Sequence, residues 1–166
     1  MGAEFNWNPG RFSLKSEYAR VCEERLKQAL SGGDLSPLLA HAWYVSGTWL
    51  VTGEKKLKLE PQRPFRKWLL WGGPGAVELA MRFDVLRFSS ADQIGRPSRS
   101  LRAPNVLQTS DRTWTCGVNW YLNNRTKVQF NSFRERLEDP VRLPLFIEGV
   151  IGSLYWNHVV RVQFVM

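Results

Sequence analysis

The fold is decided by residues 77–85, which read Val-Glu-Leu-Ala-Met-Arg-Phe-Asp-Val. Apolar and polar side chains alternate almost without exception, and this period of two is typical of a β-strand with one apolar and one polar face. The same alternation returns in residues 43–51, 113–122 and 160–166. The sequence therefore predicts an all-β protein.

Strands and turns can be placed along the rest of the chain by the same reasoning. Pro9-Gly10 and Asn123-Asn124 predict tight antiparallel turns, because Gly and Asn tolerate the positive φ that hairpins need. Good helix formers are compatible with a helical turn in Glu23–Leu30. We expect strands near 3–8, 11–23, 40–53, 76–89, 111–123, 125–137 and 157–166, joined by long connections at 24–39, 54–75, 90–110 and 138–156.

The strand lengths and connections favour a membrane protein. Alternating strands with short turns at one end and long loops at the other are typical of an antiparallel transmembrane β-barrel. If the tight turns are periplasmic, the long connection 54–75 also falls on the periplasmic side. The alternative is a soluble sandwich or lipocalin-like barrel, whose apolar face would be a buried core. Sequence alone does not show which way the apolar face points, although the charged polar faces favour a wet lumen.

Net charge and the spacing of reactive residues limit which ligands and reactions the sequence predicts. The 166 residues carry a formal net charge of +8, which can attract small anions, nucleic acid or acidic membranes. Cys22, Cys116, His41 and His158 are far apart in sequence, so we expect neither a metal site nor a disulfide framework. No nucleophile elbow and no phosphate-binding glycine motif is present, so the sequence predicts no enzyme and no cofactor.

Basic residues on the predicted polar faces are candidates for an anion path. Cations that face a narrow aqueous lumen create a positive potential that concentrates anions. Alternatively, Glu17, Glu78 and Asp84 pair with these cations and merely line the wall. The candidates are Lys15, Arg82, Lys127 and Arg161 on strands, and Lys55, Lys56 and Lys58 in a basic loop at a pore mouth.

Aromatic residues on the apolar faces predict a lipid interface. Trp43 and Trp49 lie six residues apart, as do Trp114 and Trp120, a separation of about 20 Å along a strand. This approaches the height of the lipid-facing band between two aromatic girdles. Phe164 extends the aromatic set near the C-terminus. Because these rings fall with aliphatic side chains, they do not suit base stacking, and we expect no nucleic-acid partner.

Several segments, taken in their order and spacing, resemble the phosphate-selective porins O and P. The segments are Gly2-Ala3-Glu4 with Trp7, Phe12-Ser13-Leu14-Lys15-Ser16-Glu17-Tyr18, Trp43-Tyr44-Val45-Ser46-Gly47, Leu50-Val51-Thr52-Gly53-Glu54, Arg63-Pro64-Phe65, Gly75-Ala76-Val77-Glu78-Leu79-Ala80-Met81-Arg82-Phe83 and Gly117-Val118-Asn119-Trp120-Tyr121-Leu122-Asn123. The resemblance implies a barrel in a Gram-negative outer membrane, usually trimeric, that passes anions such as phosphate or pyrophosphate.

What matches looks like the C-terminal half of such a porin, so we expect residues 1–166 to form one β-barrel domain belonging to a larger barrel. The family's main constriction loop lies in the N-terminal half of the barrel. The basic residues of that loop therefore have no matching positions in this sequence. The expected partners are outer-membrane lipid, small anions, and further copies in a homotrimer or other barrel chains. The alternative function is a non-conducting structural or accessory β-subunit, or a truncated porin remnant.

Overall fold

The computed structural model describes residues 1–56, 64, 73–138 and 154–164. Within these ranges the chain forms seven strands, which pair in chain order as a single antiparallel sheet. The all-β antiparallel prediction is therefore confirmed. No helix of the described part is long and apolar enough to cross a membrane. The strands are β1 (Gly2–Trp7), β2 (Phe12–Arg25), β3 (Leu35–Leu50), β4 (Ala76–Ser90), β5 (Thr109–Tyr121), β6 (Thr126–Glu138) and β7 (Leu154–Phe164).

Both predicted tight turns are present and lie at the same end of the sheet, which we call the turn end. Between β1 and β2, Gly10 has a φ of 64° and the Phe12 N–H donates to the Pro9 carbonyl at 3.3 Å. Between β5 and β6, the side-chain oxygen of Asn123 accepts from the backbone N–H of Arg125 at 2.8 Å and of Thr126 at 3.0 Å. The opposite end of the sheet, which we call the loop end, carries the longer β4–β5 connection.

The predicted helical turn within Glu23–Leu30 is wrong. Strand β2 continues to Arg25, and β3 begins at Leu35, earlier than expected. The chain reverses at Lys27, which has a positive φ of 56° and whose N–H donates to the Asp34 carboxylate at 2.8 Å. Helix propensity is a weak local preference, and the ladder of pairs that joins β2 to β3 overrides it. The last two positions of the predicted strand 157–166 lie outside the described residues.

The apolar face is exposed over most of its length in the described strands. On this face Met81 is 50% exposed and Val160 is 66% exposed, whereas the polar face is buried around Glu78, which is 3% exposed. Large exposed apolar surfaces on a sheet mark contact with lipid or with another protein. A soluble sandwich would bury this face instead, so the arrangement fits the membrane alternative.

The sheet is open at both edges. Among the described residues, β1 pairs only with β2, and β7 pairs only with β6. The other strands each have two neighbours, and the register keeps positions of the polar face opposite positions of the same face from β1 to β7. All side chains of the polar face therefore form rows that run across the strands.

Candidate functional site

The polar face carries a buried cluster near the turn end, centred on Glu78 of β4. Register places Glu78 opposite Leu50 of β3 and Asn119 of β5, so the side chains of three strands converge there. The Asn119 amide and the Tyr121 hydroxyl both donate to the same carboxylate oxygen of Glu78, each at 2.9 Å. The Gln129 amide of β6 in turn donates to the Asn119 oxygen at 2.7 Å. These residues, together with Lys56, are called the Glu78 cluster below.

Lys56 supplies the positive charge of the cluster. Its ammonium forms an ion pair with the Glu78 carboxylate, and the two side chains are 10% and 4% exposed. The same ammonium donates to the Ser13 hydroxyl at 2.9 Å, and Ser13 shares a 2.7 Å hydrogen bond with the Thr48 hydroxyl. A buried charge is tolerated where it is paired and hydrogen-bonded, and both members of this pair meet that condition.

The backbone that leads to Lys56 is tied to the β1–β2 turn and to the start of β4. The Lys56 N–H donates to the Gly10 carbonyl at 2.6 Å, and the Val51 N–H donates to the Val77 carbonyl at 2.9 Å. The Thr52 hydroxyl donates to Glu54 and accepts from the Val77 N–H. Residues 51–56 therefore fold back against the turn end of the sheet. This places the side chain of Lys56 on the polar face.

Arg82 lies farther from the turn end on the same face. Its guanidinium forms an ion pair with Asp84 of the same strand at 2.6 Å, and its Cζ atom lies 3.8 Å from the centre of the Tyr44 ring. The pair is largely solvated, since the Arg82 side chain is 45% exposed. Arg82 is therefore held by an acid of its own strand and by an aromatic ring of β3.

Charge on the polar face is separated along the strands. Toward the turn end the rows carry four bases, which are Lys15, Arg82, Lys127 and Arg161. Lys56 lies beside them, and Glu78 is the acidic residue that the described strands place among these bases. The next row toward the loop end is acidic, and its members are Glu4, Glu17, Asp84 and Glu135. We call these the basic band and the acidic row. An ion moving along this face would meet one and then the other.

The other predicted anion-path residues are spread over the face. Lys15 is exposed and lies opposite Asn6 and Ser46, whereas Lys127 is buried with its ammonium 5.5 Å from the Tyr121 ring centre. Arg161 is exposed and lies opposite Gln129. Of the predicted basic loop, Lys55 is exposed beside Lys56, and Lys58 lies outside the described residues.

The predicted interface aromatics all occupy the apolar face. Toward the loop end, Phe83 links two of them, because its ring is 5.5 Å from that of Trp43 and 4.3 Å from that of Trp114. Toward the turn end, Trp49 stacks on Phe12 at 5.7 Å. In the same part of the sheet, the Trp120 indole N–H donates to the Pro74 carbonyl at 2.7 Å, and Phe164 is 71% exposed.

Sequence reasoning missed two polar centres. Glu78 and Asn119 were placed on polar faces, but only the strand register shows that they meet. The second is Arg25, which is 2% exposed at the end of β2 and was assigned to the helical turn. Its guanidinium donates to the carbonyls of Ser36 at 2.5 Å, Leu101 at 2.8 Å, Ala103 at 2.9 Å and Pro104 at 3.3 Å. It therefore fastens the β4–β5 loop to the sheet.

Comparison with known proteins agrees with this geometry. No curated protein matches the chain. A family model described as phosphate-selective porin O and P matches residues 1–137, which include β1 to β5 and nearly all of β6. That family consists of channels of the outer membrane and not of enzymes. An open antiparallel sheet with an exposed apolar face fits a partial barrel of this kind, and the chain belongs to the phosphate-selective porin O and P family.

Proposed function

We propose that this chain forms part of the wall of a pore that lets small anions such as phosphate or pyrophosphate diffuse passively across a Gram-negative outer membrane. The observation that carries the proposal is the basic band, which collects Lys15, Arg82, Lys127 and Arg161 on the polar face near the turn end. A wall lined with cations raises the local anion concentration and repels cations.

The cations on this part of the polar face differ in whether an acidic side chain neutralises them. Lys56 is neutralised by Glu78, and Arg82 by Asp84, so these two cations chiefly shape the wall. Lys15 and Arg161 are exposed on the same face, so their charge reaches the solvent in front of the sheet. Selectivity in this proposal depends mainly on these two side chains, together with Lys55 at the turn end.

The chain would act as the C-terminal half of a larger barrel. Both edges of the described sheet are unpaired, and backbone N–H and C=O groups at such edges need partners inside a membrane. Trp43 and Trp114 lie in adjacent rows toward the loop end, and Trp49 and Trp120 lie in adjacent rows toward the turn end. These two pairs would lie at the two lipid interfaces. Assembly into a homotrimer would bring three such pores together.

Ion conduction tests the proposal. The chain, refolded in detergent and added to planar bilayers, should give discrete conductance steps, and a KCl gradient should give a reversal potential of the sign expected for anion flow. Replacing Lys15 and Arg161 by Gln should move that potential toward zero. The matched control is R134Q/R136Q, which removes two positive charges from the apolar face and should leave the reversal potential unchanged.

A second candidate is a non-conducting structural or accessory subunit that completes the barrel of another chain. The observation that favours it is the open sheet, which has no closed lumen of its own among the described strands. A folded, heat-modifiable protein that gives no conductance would support this candidate and contradict the first.

A further inference from the structure

The β4–β5 loop, residues 91–108, packs on the polar face at the loop end of the sheet. Leu38 of β3 and Ser90 of β4 lie opposite each other on this face, and both are buried. The loop contacts Ser90 with both of its halves, because the Ser90 hydroxyl donates to the Asp92 carbonyl at 2.8 Å and accepts from the Val106 N–H at 2.9 Å. The loop therefore forms a second layer over the last row of the polar face. Its own buried residues are Asn105, Val106 and Leu107.

Hydrogen bonds within the loop join its outgoing and returning halves. Ser98 and Val106 form a β-bridge, in which the Ser98 N–H donates to the Asn105 carbonyl at 3.0 Å and the Leu107 N–H donates to the Ser98 carbonyl at 2.8 Å. The Asn105 amide donates to the Gly95 carbonyl at 3.0 Å. The layer over the polar face therefore has a defined backbone structure of its own.

Two anchors tie the loop to β2 and β3, although the loop connects β4 to β5. At the start of β3, the Pro37 carbonyl accepts from the Ala91 N–H at 2.8 Å, and the Ser36 hydroxyl donates to the Asp92 carboxylate at 2.7 Å. At the end of β2, the Arg25 guanidinium donates to three carbonyls of the loop. Neighbouring strands lie about 4.8 Å apart, so the loop reaches about 10 Å sideways from β4 to β2.

Arg25 is well suited to hold the loop in this position. A guanidinium presents five N–H donors in a planar fork, and a buried cation is tolerated only where it is hydrogen-bonded. Three of the four carbonyls that Arg25 contacts belong to the loop, and the fourth belongs to Ser36. Displacement of the loop would therefore remove most of the acceptors around this charge. Arg25 acts here as a positioning residue.

We propose that the β4–β5 loop, held by Arg25, is a constriction inside the outer mouth of the pore and sets the size limit for solutes. This inference rests on the proposed function, in which the polar face lines the lumen and the loop end faces outward. Layers that pack on a sheet lie about 10 Å from it, so the loop narrows the lumen by up to about that width. A solute entering from the loop end passes the loop before it reaches an open pocket of about 330 Å³ on the polar face. Side chains that line this pocket include Glu17, Tyr44, Arg82 and Asp84.

Polymer exclusion in planar bilayers tests the constriction on the refolded chain. Neutral polyethylene glycols of graded size are added to each side, and the largest polymer that still lowers the conductance gives the size limit. Replacing residues 91–106 by Asn-Gly leaves a two-residue hairpin that keeps Phe88 opposite Thr109. This shortened variant should admit polymers that are wider by several ångström, up to about 10 Å.

Two further variants separate the position of the loop from its charge. R25M should shift the size limit in the same direction by a smaller amount, because the loop stays attached to β4 and β5. The control R96Q/R102Q removes two exposed charges of the loop and keeps Arg25 and the other anchors, so it should leave the size limit unchanged. Heat-modifiable migration on gels checks that each variant is folded. The shortened variant has no loop to hold, so its result does not depend on whether R25M folds.

The outcomes distinguish this inference from the proposed function. Conductance steps with the same size limit in the unsubstituted chain, the shortened variant and R25M would overturn the constriction and leave the proposed function standing. Steps from the shortened variant but not from the unsubstituted chain would support the constriction, since the loop would then close the mouth. No steps from any variant would overturn both.

Discussion

The Glu78–Lys56 ion pair should be the main polar determinant of stability at the turn end. Replacement of Glu78 by Gln keeps the shape of the side chain and its acceptor oxygen for Asn119 and Tyr121, but removes the charge that faces Lys56. The Lys56 ammonium would then remain in a site where it is only 10% exposed. We therefore expect Glu78→Gln to lower the free energy of unfolding.

The magnitude follows from the burial of both partners. Removing one member of a buried ion pair typically costs about 3–5 kcal/mol, because the other charge is left without compensation. Lys56 lies on a loop and still donates to Ser13, so part of that loss is recovered. We expect about 2–3 kcal/mol for Glu78→Gln, and about 1–2 kcal/mol for Lys56→Met, because Glu78 keeps two neutral hydrogen-bond donors.

A double-mutant cycle isolates the pair. Unfolding of the refolded chain by urea in detergent, followed by circular dichroism, would be measured for both single variants and for K56M/E78Q. The double variant should lose about 2 kcal/mol less than the sum of the single losses, because the second substitution removes the charge that the first left unpaired. Strict additivity would refute the reasoning, since it would mean that the two charges do not stabilise each other in the folded protein.

Three further outcomes are expected. Arg25→Met removes four hydrogen bonds to backbone carbonyls, so limited trypsin digestion should cut the β4–β5 loop at least about tenfold faster. Gly75→Ala should lower the free energy of unfolding in urea by about 1–3 kcal/mol, because Gly75 has a φ of +75° and a Cβ there would lie 2.5 Å from the Tyr121 carbonyl oxygen. Gly33→Ala is the control, because a Cβ there would make only an ordinary contact, at 3.8 Å, with the Ser31 side-chain oxygen. Asp84→Asn leaves the Arg82 charge uncompensated, so the reversal potential in a KCl gradient should move toward that of a more anion-selective pore; no movement would mean that Arg82 does not face the ion path.

Much of the fold could be predicted because strand alternation is a local property. The run from Val77 to Val85 shows its two faces without any knowledge of neighbouring strands, and Pro9-Gly10 fixes its turn through its own backbone preferences. The start of β3 could not be predicted in the same way. Leu35 and Ser36 carry no alternating pattern, and β3 begins there because Leu35 pairs with Arg25 of β2.

The Glu78 cluster could not be predicted because it depends on register. A shift of one residue between β4 and β5 would turn Asn119 to the other face and away from Glu78. Lys56 was recognised as basic, but its position on the polar face depends on how the chain folds back after Leu50. The sequence predicts Lys56 in a loop at a pore mouth. Because the backbone reverses after Leu50, its side chain instead reaches Glu78 on the polar face.

The order of the strands limits what can complete this wall. In an up-and-down sheet of seven strands, the first and last strands point the same way, so β1 and β7 both run from the loop end to the turn end. Two copies related by an axis along the membrane normal would join β1 to β7 as parallel strands. Antiparallel closure instead requires further strands between β7 and β1. The first and last of these strands must both run opposite to β1 and β7, so their number is odd. Whatever supplies them, the total is even, as it is in bacterial single-chain barrels.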